Sequence, residues 1–146
     1  MIVSALLVAW AGFIAWHDQR RRKVPNAALI LVLVPAVLAL CFERHGLLNA
    51  SVWSSLGGMT LSFALTFPGY ALRRFGAGDV KFATVLGLLL GTARGIEFML
   101  GASLLMGAVA LALSMTKLPK EMKFPAAPML AAAFVVEMLI GPLMLA

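Results

Sequence analysis

Acidic residues are scarce in this chain. Only six of its 146 residues are Asp or Glu, two of them aspartates, against twelve Lys and Arg. So little charge, together with 62% hydrophobic residues and a mean hydropathy of +0.99, excludes an ordinary soluble protein. The composition predicts an all-α polytopic membrane protein. Because each crossing uses about 20 residues, we expect one transmembrane domain over residues 1–146 and no second domain.

Cysteine is nearly absent as well. Cys41 is the only one, which excludes an internal disulfide, a CxxC redox pair and a cysteine-based zinc site.

Charged residues, glycines and prolines divide the chain into six apolar segments. They are 1–16, 25–42, 51–72, 79–92, 95–115 and 124–145. The first has no basic residue before it and no small-residue cleavage site, so we expect a retained helix rather than a signal peptide. Pro25 is expected in the first turn of the second helix. Since the fourth segment is short and lies close to the fifth, a five-crossing arrangement that merges them is an alternative.

The distribution of Lys and Arg predicts the orientation, because short cytoplasmic loops are enriched in both. With six crossings, Arg44 and Arg94 fall on one side and all other basic residues on the opposite side. Those are Arg20, Arg21, Arg22, Lys23, Arg73, Arg74, Lys81, Lys117, Lys120 and Lys123. The bias places both termini outside the cytoplasm. Merging segments four and five weakens it, so six crossings are favoured. The net charge of +6 then reflects topology and anionic-lipid contact, with no need for nucleic acid.

This topology places both aspartates, Asp18 and Asp79, on the cytoplasmic side. An acid in or near lipid is costly and therefore indicates function. Two carboxylates hydrolyse a peptide when an ionised one draws a proton from water and a protonated one donates to the carbonyl oxygen. Close pairing favours that state, because two like charges at short range do not both ionise cheaply. Gly76 and Gly78 before Asp79 are expected to allow unusual backbone conformations and the close approach of another chain.

Other hydrolytic chemistries lack their residues. The chain has no HExxH motif, and its two histidines, His17 and His45, are expected on opposite sides of the membrane, so no metal site and no cofactor are predicted. No serine motif of the GxSG kind is present, and Ser103 has no histidine partner on the cytoplasmic side.

The residues around the aspartates form an ordered combination. Asp18 is followed by Arg20 and by Val-Pro-Asn at 24–26, and Gly-Ala-Gly-Asp-Val-Lys at 76–81 then opens an apolar helix that contains Gly87. Phe-Pro-Ala-Ala-Pro at 124–128 leads into the last segment. In order and combination these motifs resemble the prepilin peptidases, which are membrane aspartic proteases of the GxGD type, and the resemblance covers most of the chain.

The resemblance implies that Asp18 and Asp79 are a catalytic pair that activates water. The enzyme would remove the leader from type IV prepilins or related precursors at the cytoplasmic face of a prokaryotic inner membrane. Shaping of the loop or substrate binding would fall to Gly76, Gly78, Lys81, Pro25 and Asn26. The pilus assembly machinery is a further expected partner. Larger members carry an additional cysteine-containing region associated with methylation, and nothing here corresponds to it. The chain is therefore similar to the short, peptidase-only form found with Flp/Tad-type pili and archaellins.

Simpler interpretations of single residues stay open. Asp79 is also suited to cap its helix, and Asp18 to be a solvated acid in a basic cluster. Lys81 either steadies a carboxylate or substrate carbonyl or extends to the head groups. Glu137 is expected to face the bundle interior and bond a polar neighbour. Glycines at 87, 91 and 95 favour close helix packing.

Two other functions remain as alternatives. A presenilin-like protease shares the GxGD motif but usually pairs it with Tyr-Asp on the preceding helix, which Tyr70 does not supply. A small transporter or a non-catalytic pilus-assembly subunit would use the two aspartates as a proton relay or as salt-bridge partners. In a transporter, changing an aspartate to the amide would stop ion-coupled transport, and neither kind of protein would cleave a precursor.

Overall fold

The computed structural model describes residues 2–73, 75–115 and 126–141, and the regular elements in these ranges are all α-helices. They are α1 (Ile2–Arg21), α2 (Asn26–Phe42), α3 (Val52–Ala71), α4 (Ala77–Met115) and α5 (Ala127–Ile140). The all-α prediction is confirmed for this part of the chain. The basic residues Arg74, Lys117, Lys120 and Lys123, with residues 124 and 125 of the last motif, lie outside the described ranges. By length and composition, Ile2–Arg21 and Ala77–Ala112 are long and apolar enough to cross a membrane.

Helices α2 and α3 begin at residues that suit their first turns. Pro25 is the N-cap of α2, with an extended backbone at φ −72°, so it stands just before the first turn in which we expected it. Its carbonyl accepts the N–H groups of Ala28 and Leu29. At α3, the hydroxyl of Ser51 accepts the N–H of Ser54 at 3.3 Å, as a helix-capping serine does.

Helix α4 is interrupted at Gly91. This residue has φ 79° and ψ −177°, a conformation that is essentially restricted to glycine. It separates a first half, residues 77–90, from a second half, residues 92–115. The predicted break between the fourth and fifth segments therefore exists, although it comes at residue 91 rather than after residue 92.

The chain reverses direction at Gly91. Contacts with α5 establish this: Asp79 faces the N–H of Ala127, Arg94 binds Glu137, and a Cβ on Gly101 would lie 3.9 Å from that of Ala133. The first half of α4 thus runs in the same direction as α5, whereas the second half runs back along it. The described residues accordingly form six helical segments, as the apolar segments predicted. Their number of membrane crossings stays a prediction.

Close packing of α3 on α4 depends on glycines, as predicted for residues 87 and 91. A Cβ on Gly58 would collide with the carbonyl oxygens of Gly87 and Gly91, and a Cβ on Gly87 would collide with Ser62. At the reversal, the N–H of Thr92 donates to the hydroxyl of Ser54 at 3.0 Å, and the Thr92 hydroxyl donates to the Ser54 carbonyl at 2.9 Å. Two helices can approach this closely only where side chains are absent or small.

The first half of α4 is the centre of the bundle. Its Phe82, Leu86 and Leu89 are almost completely buried, and the ring of Trp10 on α1 meets Phe82 edge-on at 5.5 Å. The indole N–H of Trp10 donates to the carbonyl of Ala28 at 2.7 Å and so joins α1 to α2. Many large apolar side chains point outward instead, among them Leu31, Trp53 and Leu104. Such a surface suits contact with lipid.

An ion pair fixes α5 to the reversal of α4. The guanidinium of Arg94 donates from Nε to Oε1 of Glu137 at 3.2 Å and from Nη2 to its backbone carbonyl at 3.3 Å. Glu137 is buried, and the prediction that it faces the interior and bonds a polar neighbour is confirmed.

Candidate active site

Asp18 lies in the last turn of α1 and faces inward. Only 5% of its surface is exposed, although Gln19, Arg20 and Arg21 beside it are exposed. Its carbonyl accepts the N–H of Arg22, whose left-handed backbone at φ 51° ends the helix. Burial contradicts the interpretation of Asp18 as a solvated member of the basic cluster.

Asp79 lies in the first turn of α4, where its two carboxylate oxygens differ. Oδ2 accepts the backbone N–H of Gly76 at 3.1 Å, and the N–H of Asp79 donates back to the Gly76 carbonyl at 3.1 Å. The first bond resembles the half of a capping box in which the third helical residue accepts the N–H of the N-cap. Asp79 therefore stabilises the start of the helix through this oxygen, although the N-cap itself is Gly76 rather than Asp79. Oδ1 is buried and, among the described residues, has no hydrogen-bond partner. One oxygen therefore stabilises the start of the helix, and the backbone N–H of Ala127 also faces the carboxylate.

The loop between α1 and α2 meets the loop between α3 and α4 around a cavity of about 330 Å³. Both aspartates face this cavity, and each is within electrostatic reach of the other. The remaining lining residues are Arg22, Lys23, Val24, Asn26, Gly76, Ala77, Gly78 and Lys81. The structure thus brings together two acids that are far apart in the sequence.

Gly76 and Gly78 leave room for neighbouring atoms because they lack a side chain, and they do not adopt unusual backbone angles. Neither is among the positive-φ glycines of the described residues, which are Gly91 and Gly141, so the expected conformational role at 76 and 78 is wrong. A Cβ on Gly78 would stand 2.8 Å from the Cβ of Val24, and one on Gly76 would stand 3.2 Å from Oδ2 of Asp79. Gly78 therefore has no room for a side chain beside Val24, whereas a side chain at Gly76 would crowd the Asp79 carboxylate. The expected close approach of another chain stays a prediction.

Lys81 and Asn26 close one side of the cavity. The ammonium of Lys81 donates to the Asn26 side-chain oxygen at a long 3.5 Å, so in this structure it contacts an amide rather than a carboxylate. Pro25 does not line the cavity, but as the N-cap of α2 it sets the position of Asn26. Of the predicted loop-shaping or substrate-binding residues, the structure therefore places Gly76, Gly78, Lys81 and Asn26 at the cavity.

Some neighbours of the aspartates were not foreseen. The backbone N–H of Ala127, at the start of α5, faces the Asp79 carboxylate. The motif at 124–128 marked this helix entry but did not indicate its contact with Asp79. Val24 was noted only as part of the Val-Pro-Asn sequence, and no pattern indicated that it packs against Gly78. His17 is outside the lining and contacts the carbonyl of Lys23 at 3.1 Å.

Two carboxylates that line one cavity form an arrangement for general acid–base chemistry on a water molecule. Three cationic side chains, Arg22, Lys23 and Lys81, stand at the same cavity and favour negative charge there. Among the described residues, no group of three His, Cys, Asp or Glu side chains is placed to hold a metal ion.

A model of the type IV leader peptidase family matches residues 5–111. The matched segment contains most of α1, all of α2 and α3, and most of α4, and with them both aspartates and the glycines at 76 and 78. Comparison with curated proteins found no match, and neither did comparison with solved structures.

Proposed function

Because the chain belongs to the type IV leader peptidase family, we propose that it is a membrane aspartic endopeptidase that removes the leader from pilin-like precursors. Family membership implies a peptidase with such substrates. The aspartic mechanism, the position at the membrane and the restriction to cleavage belong to the proposal. The observation that supports the mechanism best is the shared cavity, which both Asp18 and Asp79 line and where each is within electrostatic reach of the other.

In the proposed reaction the two carboxylates share one proton, since two like charges at short range do not both ionise cheaply. The ionised carboxylate takes a proton from water, and the water oxygen attacks the carbonyl carbon of the scissile bond. The protonated carboxyl gives its proton to the carbonyl oxygen. Collapse of the tetrahedral intermediate then breaks the C–N bond: the carboxyl that took the proton from water gives it to the leaving nitrogen, and a hydroxyl of the intermediate returns a proton to the other carboxylate. No covalent enzyme intermediate forms.

We place the enzyme as a multi-pass protein of a prokaryotic inner membrane, with the cavity at the cytoplasmic face. Two long apolar helices and the outward-facing leucines support membrane association. The basic residues at the cavity, Arg22, Lys23 and Lys81, support a cytoplasmic position because cytoplasmic loops are rich in Lys and Arg.

We propose that the protein cleaves without methylating. In larger members methylation is associated with an additional cysteine-containing region, to which nothing in this sequence corresponds. Cys41, the only cysteine in the sequence, is exposed near the far end of α2, roughly 20 Å along the helix from Asn26 at about 1.5 Å per residue. It therefore does not contribute to the aspartate cavity.

The test is leader removal from a co-expressed pilin precursor, followed by mass spectrometry at equal membrane amounts. We expect Asp18→Asn and Asp79→Asn each to lower cleavage by at least about 10²-fold, the contribution typical of a general acid or base. Glu43→Gln, the same acid-to-amide change at an exposed residue away from the cavity, is the matched control and is expected to cleave normally. Cleavage that survives either aspartate change contradicts the paired-aspartate mechanism, whereas a wild-type protein that cleaves no precursor favours a transporter or assembly subunit instead.

A further inference from the structure

A second and larger cavity lies beside the aspartate cavity. It is a groove of about 530 Å³ between α2, α3 and the first half of α4. Asn26 and Lys81 line both spaces, so the hydrogen bond between them lies at the boundary of the two. Beyond this pair, the groove is lined almost entirely by apolar side chains, among them Leu29, Leu33 and Val85.

The groove follows from the way the helices pack. Helix α3 lies directly on α4 through its glycines, whereas α2 touches α4 less closely and makes few contacts with α3. A gap is left between α2 and α3, with α4 as its floor. The floor residues Val85 and Leu88 are buried, but Ile30 and Phe63 at the edges are 56% and 46% exposed. The groove is therefore open sideways, in the direction from which lipid would approach.

The length and chemistry of the groove limit what fits. From Lys81 it extends along α4 to Leu88, roughly 10 Å at about 1.5 Å per residue. Its volume lies within the range of about 300–1,000 Å³ found for ligand-binding pockets, and such pockets are largely apolar. A peptide whose scissile bond lies at the aspartates must continue away from them. Any of its residues that enter the groove must be apolar, because they replace the lipid that would otherwise contact the apolar side chains of the groove.

We propose that this groove binds an apolar segment of the substrate adjoining the cleaved bond. The inference rests on the proposed peptidase function and adds that cleavage depends on this segment as well as on the aspartates. A lipid acyl chain has similar chemistry, but the boundary that the groove shares with the aspartate cavity favours the substrate.

The first test is crosslinking in a protein without its native cysteine, Cys41→Ser, and with Asp18→Asn to prevent turnover. Asp18 is chosen because Asp79 also stabilises the start of α4. Leu33→Cys places a thiol in the groove, and Leu31→Cys places one on the same helix outside it, at a residue that is 71% exposed. The probe is a pilin precursor that the wild-type protein cleaves, with a single cysteine in the apolar segment beside the scissile bond. A disulfide at position 33 and not at 31 is expected; equal crosslinking, or none, overturns the proposal.

The second test fills the groove. Leu33→Trp is expected to lower cleavage of the intact precursor about tenfold or more, which corresponds to about 1.4 kcal/mol, whereas Leu31→Trp leaves it unchanged. A shortened peptide, with the leader and scissile bond but without the apolar segment, is expected to be cut slowly by wild type and no more slowly by Leu33→Trp. If Leu33→Trp lowers cleavage of the intact precursor and of the shortened peptide equally, the proposal is contradicted. A groove filled by lipid or a misfolded variant would give that result.

These outcomes separate the two levels of inference. If wild type cleaves the precursor, Asp18→Asn does not, and Leu33→Trp behaves like wild type, the groove proposal fails and the peptidase proposal stands. If wild type cleaves no precursor, or Asp18→Asn cleaves like wild type, the proposed function fails and the groove proposal fails with it.

Discussion

Gly78 and Val24 are in direct packing contact, so that a Cβ on the glycine would stand 2.8 Å from the Cβ of the valine. Through this contact the loop that carries Asp79 rests on the loop that follows Asp18. The separation of the two carboxylates therefore depends on the missing side chain at position 78.

Replacing Gly78 with alanine should accordingly separate the two loops. Since a misplacement of about 1 Å can cost about 10²-fold in rate, we expect Gly78→Ala to lower leader cleavage by roughly 10–100-fold. Gly12→Ala is the matched control, because nothing lies within 4 Å of a Cβ at that glycine. The measurement is the initial rate of precursor cleavage in membranes with equal amounts of protein. Equal rates for the two variants would show that the contact does not set the site.

The two oxygens of Asp79 predict different results for its amide and alanine variants. Asp79→Asn keeps an oxygen that can accept the Gly76 N–H, so it should lose cleavage with little change in thermal stability. Asp79→Ala also removes the hydrogen bond to the Gly76 N–H and should lower the free energy of unfolding by about 0.5–1.5 kcal/mol. Thermal unfolding in detergent, measured beside cleavage, distinguishes the variants. If Asp79→Asn is destabilised as much as Asp79→Ala, the separation of roles is wrong.

The ion pair between Arg94 and Glu137 should contribute to stability. Arg94→Ala leaves the buried Glu137 carboxylate without the guanidinium, and we expect a loss of about 1–3 kcal/mol in the free energy of unfolding. Adding Glu137→Gln removes the uncompensated charge and should restore part of that loss. Arg21→Ala, at an exposed arginine, serves as the control. In thermal unfolding, we expect Arg94→Ala to have a lower Tm than both the double variant with Glu137→Gln and the Arg21→Ala control.

The reversal at Gly91 predicts where the two ends of α4 lie. In a Cys41→Ser background, Ala77→Cys and Ala112→Cys should both react with a membrane-impermeant maleimide applied from the cytoplasmic side. Both alanines are exposed, and the second half of α4 runs back toward the Asp79 end. A straight α4 would place the two thiols on opposite sides of the membrane. Labelling of the two from opposite sides would thus support five crossings rather than six.

The sequence predicted the helical class, the six apolar segments and the inward position of Glu137, because these follow from local hydropathy and from the cost of a buried acid. It also predicted that Asp18 and Asp79 could share one site, since the distribution of Lys and Arg places both on the same side of the membrane. Whether this pair is catalytic stays a prediction.

Other features depend on tertiary contacts that no local pattern encodes. The role of Gly78 requires knowing that Val24 packs against it, and the contact of Ala127 with Asp79 requires the position of α5. Gly91 was expected only to pack closely, because a glycine in an apolar run gives the same signal whether it packs or bends. The groove between α2 and α3 is a property of three helices together.

Helix α5 joins two distant parts of the molecule. One end is bound to the Gly91 reversal through Glu137, and the other presents the N–H of Ala127 to Asp79. A helix of 14 residues is about 20 Å long at about 1.5 Å per residue and is stiff along its axis. It therefore connects the Gly91 reversal to the aspartates through one rigid element. We expect a displacement of the helix end at Glu137 to shift the N–H that faces Asp79.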